Sequence, residues 1–141
     1  MKVRTAIEIL TGLAELDGYL NGSGDRRTPY KFDGPTRLTI ARARRQLRQA
    51  QEDYVEARNA ALVELTDGIG ELPPMTGPFE SAAERGTIRA KHMAFAVKDR
   101  ELLNAELTLE LGAIGVAELK LEDNPIPPSV LDMLGPMLED G

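Results

Sequence analysis

The stretch that decides the fold is GPTRLTIARARRQLRQAQEDYVEARNAALVEL, residues 34–65. Pro35 is preorganised for the first position of a helix, and Gly68, just beyond the stretch, suits a helix C-terminus. Apolar residues recur seven apart in two rows: Ile40, Leu47, Tyr54 and Ala61, then Ala43, Ala50 and Ala57. This spacing predicts one long helix with a coiled-coil-like seam, and its alanine row permits the close approach of a neighbouring helix.

The charge of this predicted helix is divided between its two halves. The first half contains five basic residues, Arg37, Arg42, Arg44, Arg45 and Arg48, and it contains no acidic residue. The second half contains one basic residue, Arg58, and the acids Glu52, Asp53, Glu56 and Glu64. Both halves oppose the helix macrodipole, so the charges need partners elsewhere. Two such helices placed antiparallel would pair the halves, although a helix of the same chain could instead occupy the seam.

Helices are also predicted on either side of this stretch. The first covers residues 3–20 and begins with a capping box, Thr5 with Glu8. Another runs from Ser81 to about Asn104, with Ser81 and Glu84 as its capping box. A last short helix is capped by Ser129 and limited by Pro136.

Strand signals are weaker than helix signals. Residues 106–111 alternate strictly between polar and apolar, which predicts a strand that pairs with residues 30–32 or with residues 116–121. Tyr30–Asp33 fits a very short strand, and residues 68–80 are dense in Gly and Pro, which predicts a flexible loop. The predicted fold is therefore mainly α (α+β): a single domain, residues 1–141, with one long helix, two or three shorter helices and a short strand or hairpin.

Composition excludes several classes of protein. The 141 residues have a net charge of −6, which argues against a surface that tracks nucleic acid throughout. The chain has no Cys, so it can form neither a disulfide framework nor a thiolate metal site. Its N-terminus lacks the apolar run of a signal peptide, and no stretch reaches the length of a membrane span. We therefore expect a soluble protein of the cytoplasm.

Catalytic residue types are scarce. His92 is the one histidine, and it lies beside an apolar stripe, where a structural role is the simpler interpretation. Glu106 and Glu110 share the polar side of the predicted strand, but a solvated face accounts for them better than a metal site does. We predict a protein that is not an enzyme, with no cofactor and no bound metal.

The sequence offers two kinds of interaction candidate. The basic stretch at residues 26–48 could contact phosphates, and this is the alternative function, a regulator that binds nucleic acid. The favoured function is protein–protein interaction, with Phe79 in the Gly/Pro loop as a large apolar side chain that could dock on a partner. The candidate interaction residues are Arg37, Arg42, Arg44, Arg45, Arg48 and Phe79.

In the order of its segments, the chain resembles a family of small uncharacterised proteins of tailed phages and prophages. The resembling segments are Tyr30–Phe32, Ala41–Leu47, Tyr54–Ala60, Glu101–Leu111, Ile126–Leu131 and Leu134–Glu139, preceded by the short leading helix. The resemblance covers most of the chain except residues 67–85, and its motifs are structural. It implies a phage origin and a compact α-rich fold. Together with the missing catalytic residue types, this favours a phage-encoded structural or assembly subunit of the host cytoplasm or virion, with a second copy or other phage proteins as partners.

Overall fold

A computed structural model describes residues 1–16, 19–20, 27–28, 30–75 and 81–139. Its helices and strands follow the chain in the order α1 (Val3–Glu15), β1 (Tyr19–Leu20), β2 (Arg27–Thr28), α2 (Gly34–Leu65), α3 (Ala82–Leu103), β3 (Ile114–Gly115), a 3₁₀ turn (Val116–Leu119), α4 (Pro128–Leu134), a second 3₁₀ turn (Gly135–Met137) and β4 (Leu138–Glu139). Strand β1 pairs antiparallel with β2, and β3 pairs parallel with β4. The protein is mainly α with short strands, as the sequence predicts.

The long helix α2 has the predicted bounds. Asp33 is its N-cap, and one carboxylate oxygen, Oδ1, accepts a hydrogen bond from the Thr36 amide at 2.9 Å. Hydrogen bonds from the Thr36 side chain and backbone lower the pKa of Asp33. With 32 residues, α2 is about 48 Å long at about 1.5 Å per residue, more than twice the length of α1.

The main hydrophobic core lies along the first half of α2. Helix α1 packs against that half, and α4 packs against α1. The core side chains are Ala6, Ile9, Leu10, Leu13 and Leu16 from α1 and its end, Ile40, Ala43 and Leu47 from α2, Val130 and Leu134 from α4, and Tyr30, Ile114, Leu119, Ile126 and Met137. We call this part, residues 1–16, 30–50 and 105–139, the body.

The second half of α2 packs against α3 instead. We call residues 51–75 and 81–104 the arm. Helix α3 buries Ile88 and Phe95 against α2, and α2 contributes the buried Ala61. Helices of the same chain thus cover both halves of the α2 seam, so the intramolecular alternative is correct and two α2 seams do not face each other.

Buried polar contacts fix the loops of the body. The Asn124 side chain is 2 % exposed, accepts a hydrogen bond from the Lys31 amide at 2.8 Å, and donates to the carbonyls of Lys31 at 2.9 Å and Leu119 at 2.7 Å. The Tyr30 hydroxyl donates to the Pro125 carbonyl at 3.3 Å. The Asn124 side chain thus hydrogen-bonds both the backbone amide and the backbone carbonyl of Lys31. Because this segment pairs with a side chain and not with another strand, the predicted strand at Tyr30–Asp33 is wrong.

Residues 106–111 are extended, but their predicted pairing is wrong. Leu107, Leu109 and Leu111 are half-buried against the core, so the predicted alternation is confirmed. The pairing partner is the chain terminus: a single antiparallel bridge joins Lys2 to Glu106, and the Leu107 amide donates to the Met1 carbonyl at 2.6 Å. Residues 116–121 form a 3₁₀ turn and a tight turn instead of a strand.

Several predicted helix ends differ from the observed ones. Helix α1 ends at Glu15 and not at residue 20, and residues 19–20 belong to β1. Its N-cap is Lys2 and not Thr5, since the Val3 amide donates to the Ala105 carbonyl at 3.0 Å and a tertiary contact sets the start. The cap of α4 is Pro127 and not Ser129, because Pro128 is preorganised for the first helical position.

Candidate functional site

The structure brings together only part of the predicted basic cluster. Arg44, Arg45 and Arg48 line one surface groove with Ala41 on the side of α2 that neither α1 nor α3 covers. Arg42 is exposed but lies about 100° or more around the helix from Arg44 and Arg48, at about 100° per residue. Phe79 lies outside the described residues, as do residues 76–80 of the Gly/Pro loop.

Arg37 serves the fold itself. Its Nε atom donates to the Phe32 carbonyl at 3.1 Å, and one terminal nitrogen donates to the Tyr30 carbonyl at 3.2 Å. Arg37 and Arg44 both line a cleft of about 170 Å³ against Leu16 and Tyr30. The Arg37 guanidinium thus ties the segment before α2 to the first turn of the helix, with two of its five N–H donors.

The same face of α2 becomes acidic one turn further on. Gln51, Glu52, Val55, Glu56 and Asn59 line a shallow groove of about 440 Å³. Val55 is next to the heptad row at Tyr54 in the sequence, yet it is 45 % exposed. The packing of α3 explains this, because α3 contacts the side of α2 that carries Tyr54, Arg58 and Ala61, and Val55 points elsewhere.

A polar cluster joins the two helices of the arm. The Tyr54 hydroxyl donates a hydrogen bond to an Asp99 carboxylate oxygen, Oδ1. The Arg58 guanidinium lies 4.8 Å from the centre of the Phe95 ring, and its Nε atom lies 3.7 Å from the same Asp99 oxygen. Burial, and then the hydrogen bond to Asp99, raise the pKa of Tyr54. The arm is therefore held by an aromatic, a cation and a carboxylate in addition to its few buried apolar side chains.

His92 fastens the loop that leaves α2. Its Nε2 atom lies 2.6 Å from the Pro73 carbonyl oxygen. Gly70 donates its amide to the Thr66 hydroxyl at 2.8 Å, and Gly68 and Gly70 have φ angles of +92° and +81°, which favour glycine. His92 thus has the structural partner that its position in the sequence indicates.

The outer face of α3 carries exposed apolar residues that the sequence reasoning missed. Met93 is 64 % exposed and Val97 is 54 % exposed. Ala83, Gly86 and Ala90 precede them at alternating spacings of three and four residues, and all three are exposed. The spacing is present in the sequence, but Ile88, Phe95 and Leu102 on the opposite side are larger and dominate the apolar pattern of the helix. We call these five residues the outer row.

The described residues show little provision for metal chemistry. Among them, no group of three or more His, Asp or Glu side chains could hold a metal ion. Glu106 forms an ion pair with the N-terminal ammonium at 3.4 Å, and Glu110 is exposed. The two glutamates therefore have ordinary surface environments.

Comparisons with known proteins do not assign this architecture to a family. No family model matches the chain, and no curated protein or solved structure is significantly similar to it. Within the described ranges, no helix is long and apolar enough to cross a membrane. The surfaces described above are therefore the basis for a functional proposal.

Proposed function

We propose that this protein is a non-enzymatic interaction protein, a phage-encoded structural or assembly subunit, and that its arm binds another protein chain. The observation that carries the proposal is the outer row of α3. In the part of the chain that the structure describes, this 22-residue helix buries Ile88 and Phe95 and leaves most of its other side chains exposed.

The chemistry of the outer row indicates what it would bind. Its side chains are small or flexible, so the backbone of a second helix could approach closely, as in small-residue coiled-coil seams. Met93 is unbranched and adapts to irregular partner surfaces. Arg89 and Arg100 lie near the row and are exposed, so a partner helix with an apolar stripe and acidic flanks would fit it best.

The phage origin rests on the resemblance of the chain's segments to small proteins of tailed phages. The neighbouring genes provide the first check, because a structural or assembly subunit is expected among genes for virion parts. Mass spectrometry of purified virions then separates a virion component from an accessory protein that acts only during assembly. Absence of the protein both from particles and from assembly intermediates would contradict the proposal.

Site-specific photo-crosslinking tests the surface itself. A benzophenone amino acid replaces Val97 in the outer row or, as a control, the exposed Glu8 of α1, in cells that produce particles. We expect a discrete adduct from position 97, and none from position 8, with the partner identified by mass spectrometry. Equal adducts at both positions, or none at position 97, would contradict the assignment.

Nucleic-acid binding remains the second candidate because Arg44, Arg45 and Arg48 share one groove. Binding through these cations would weaken steeply with salt as counterions are released, by a factor that grows with the number of phosphates contacted. An electrophoretic shift of duplex DNA or RNA that disappears between about 50 and 200 mM salt would favour this function. A lack of any shift at the lower salt would exclude it.

A further inference from the structure

The exposed face of α2 reverses its charge midway along the helix. Arg45 and Arg48 lie on the N-terminal side of residue 50, and Glu52 and Glu56 lie on the C-terminal side, with Val55 between the acids. All five side chains are exposed. They lie on the two grooves that α1 and α3 leave uncovered, and we call them the polarised face.

Among the described residues, no ion pair involves Arg45, Arg48, Glu52 or Glu56. Arg48 and Glu52 are four residues apart and are the one oppositely charged pair of neighbours within this set. Arg45 and Arg48 are three residues apart and Glu52 and Glu56 are four apart, so each pair repels on the helix surface. An oppositely charged partner would relieve this repulsion.

We propose that the polarised face binds the same face of a second copy of this chain, with the two α2 helices antiparallel about a two-fold axis near residue 50. Positions 48 and 52 are equidistant from residue 50. The midpoint of positions 45 and 56 falls half a residue away, which is less than about 1 Å along a helix. Arg48 of each copy therefore faces Glu52 of the other, and Arg45 faces Glu56.

The symmetry of this arrangement favours a second copy over other occupants. An isologous pair forms each contact twice. A parallel pair would place arginine against arginine. A nucleic acid would satisfy the arginines but set phosphates beside Glu52 and Glu56. The polarised face is separate from the outer row, so the dimer goes beyond the proposed function and does not depend on it.

Charge reversal provides the test. One variant combines Arg45→Glu with Arg48→Glu, which makes the face wholly acidic, and the other combines Glu52→Arg with Glu56→Arg, which makes it wholly basic. Sedimentation velocity at low salt should show a wild-type dimer in the micromolar range, as suits a small polar interface. Each variant alone should be monomeric, and an equimolar mixture should form a one-to-one complex tighter than the wild-type dimer.

A control reverses charges on a different helix. Arg4→Glu with Glu8→Arg reverses two exposed charges of α1, and its dimer should match the wild type within about two-fold. Raising salt from about 50 to 500 mM should weaken the wild-type dimer by about ten-fold or more, because exposed ion pairs are screened.

Other results would overturn the dimer. A wild type that stays monomeric at several hundred micromolar and low salt overturns it, as does a mixture of the two variants that fails to associate. Duplex binding by a monomeric wild type, lost with Arg45→Glu and Arg48→Glu, would assign the face to nucleic acid. Crosslinking from position 97 is measured separately, so the proposed function and the dimer can fail independently.

Discussion

The body and the arm are built from the two halves of one helix, yet they bury very different amounts of it. In the body, Ile40, Ala43 and Leu47 of α2 are covered by α1, which in turn packs on α4. Among the described residues of the arm, α3 is the helix that covers α2, and the pair relies on Phe95, Ala61 and the Tyr54–Arg58–Asp99 cluster. Because the two halves carry the same heptad seam, we expect the number of packing layers to set the difference in local stability between them.

The largest expected effect is in the body. Deleting residues 125–141 removes Ile126, Val130, Leu134 and Met137 from the core, each worth about 1.5–3 kcal/mol before entropy is counted. We expect the truncated protein to aggregate or to lose its cooperative thermal transition, measured by circular dichroism. Asp132→Ala, an exposed position of α4, should melt like the wild type. A soluble truncated protein with an unchanged Tm would show that α4 is not part of the core.

The buried amide of the body gives the next largest effect. Asn124→Ala removes three hydrogen bonds, of which the one to the Leu119 carbonyl is buried and the two to the Lys31 backbone are part-buried. The buried carbonyl costs about 1–3 kcal/mol, and water can replace part of the bonds to Lys31, so we expect a loss of about 2–3 kcal/mol in urea unfolding. Gln49→Ala is the matched control, because its amide donates only to the exposed Asp53 at 3.0 Å. Equal losses in the two variants would refute the interlocking role of Asn124.

Two glycines inside helices compare the body and the arm directly. A Cβ atom on Gly12 of α1 would lie 3.0 Å from Leu134 Cδ2 and 3.0 Å from Met133 Cβ, whereas a Cβ on Gly86 of α3 would meet nothing within 4 Å. We expect Gly12→Ala to cost about 1–3 kcal/mol by overpacking. Gly86→Ala should instead add about 0.5–1 kcal/mol through helix propensity. Thermal melts of the two variants should shift in opposite directions, and shifts of the same sign would contradict the difference in packing.

Local patterns were enough to predict α2 and α3. Heptad spacing, Pro35 and the Asp33 cap define α2, and Ser81 and Asn104 bound α3 as its two caps. The predicted row at Ile40 and Leu47 is buried, and Ile88 and Phe95, also seven residues apart, are buried in α3. These features depend on residues a few positions apart, which is the range over which a sequence pattern carries direct information.

Features that depend on distant residues could not be predicted in this way. The alternation at residues 106–111 indicated an extended segment, but its partner is Met1, more than a hundred positions away. Asn124 gave no local sign that it would bind Lys31. Arg37, Arg44, Arg45 and Arg48 were all plausible surface cations, and only the packing of Tyr30 and Phe32 beside α2 shows that Arg37 has an internal role. The sequence thus predicted which arginines were candidates for an interaction site. The tertiary packing was needed to show which of them lie together on the surface and which one holds the fold.

The smallest expected effect is on the polar cluster of the arm. Tyr54→Phe removes the hydrogen bond to Asp99 and should cost about 1 kcal/mol near neutral pH. Burial and Asp99 raise the pKa of Tyr54 in the folded state above its unfolded value near 10. Because the unfolded chain then loses the proton first, the stabilisation is complete below about pH 10 and is lost as the pH rises through the folded pKa.

The difference in unfolding free energy between wild type and Tyr54→Phe should therefore be constant from about pH 7 to 9 and shrink above about pH 10. Urea titrations followed by far-UV circular dichroism at several pH values measure this difference. Asp99→Asn keeps an oxygen acceptor but removes the charge that favours protonated Tyr54, so its alkaline loss should be shallower than that of the wild type. Wild-type and Tyr54→Phe curves that stay parallel to pH 11 would show that the arm does not depend on this proton. The arm would then be held mainly by the Arg58–Phe95 contact and the few apolar side chains that α3 buries.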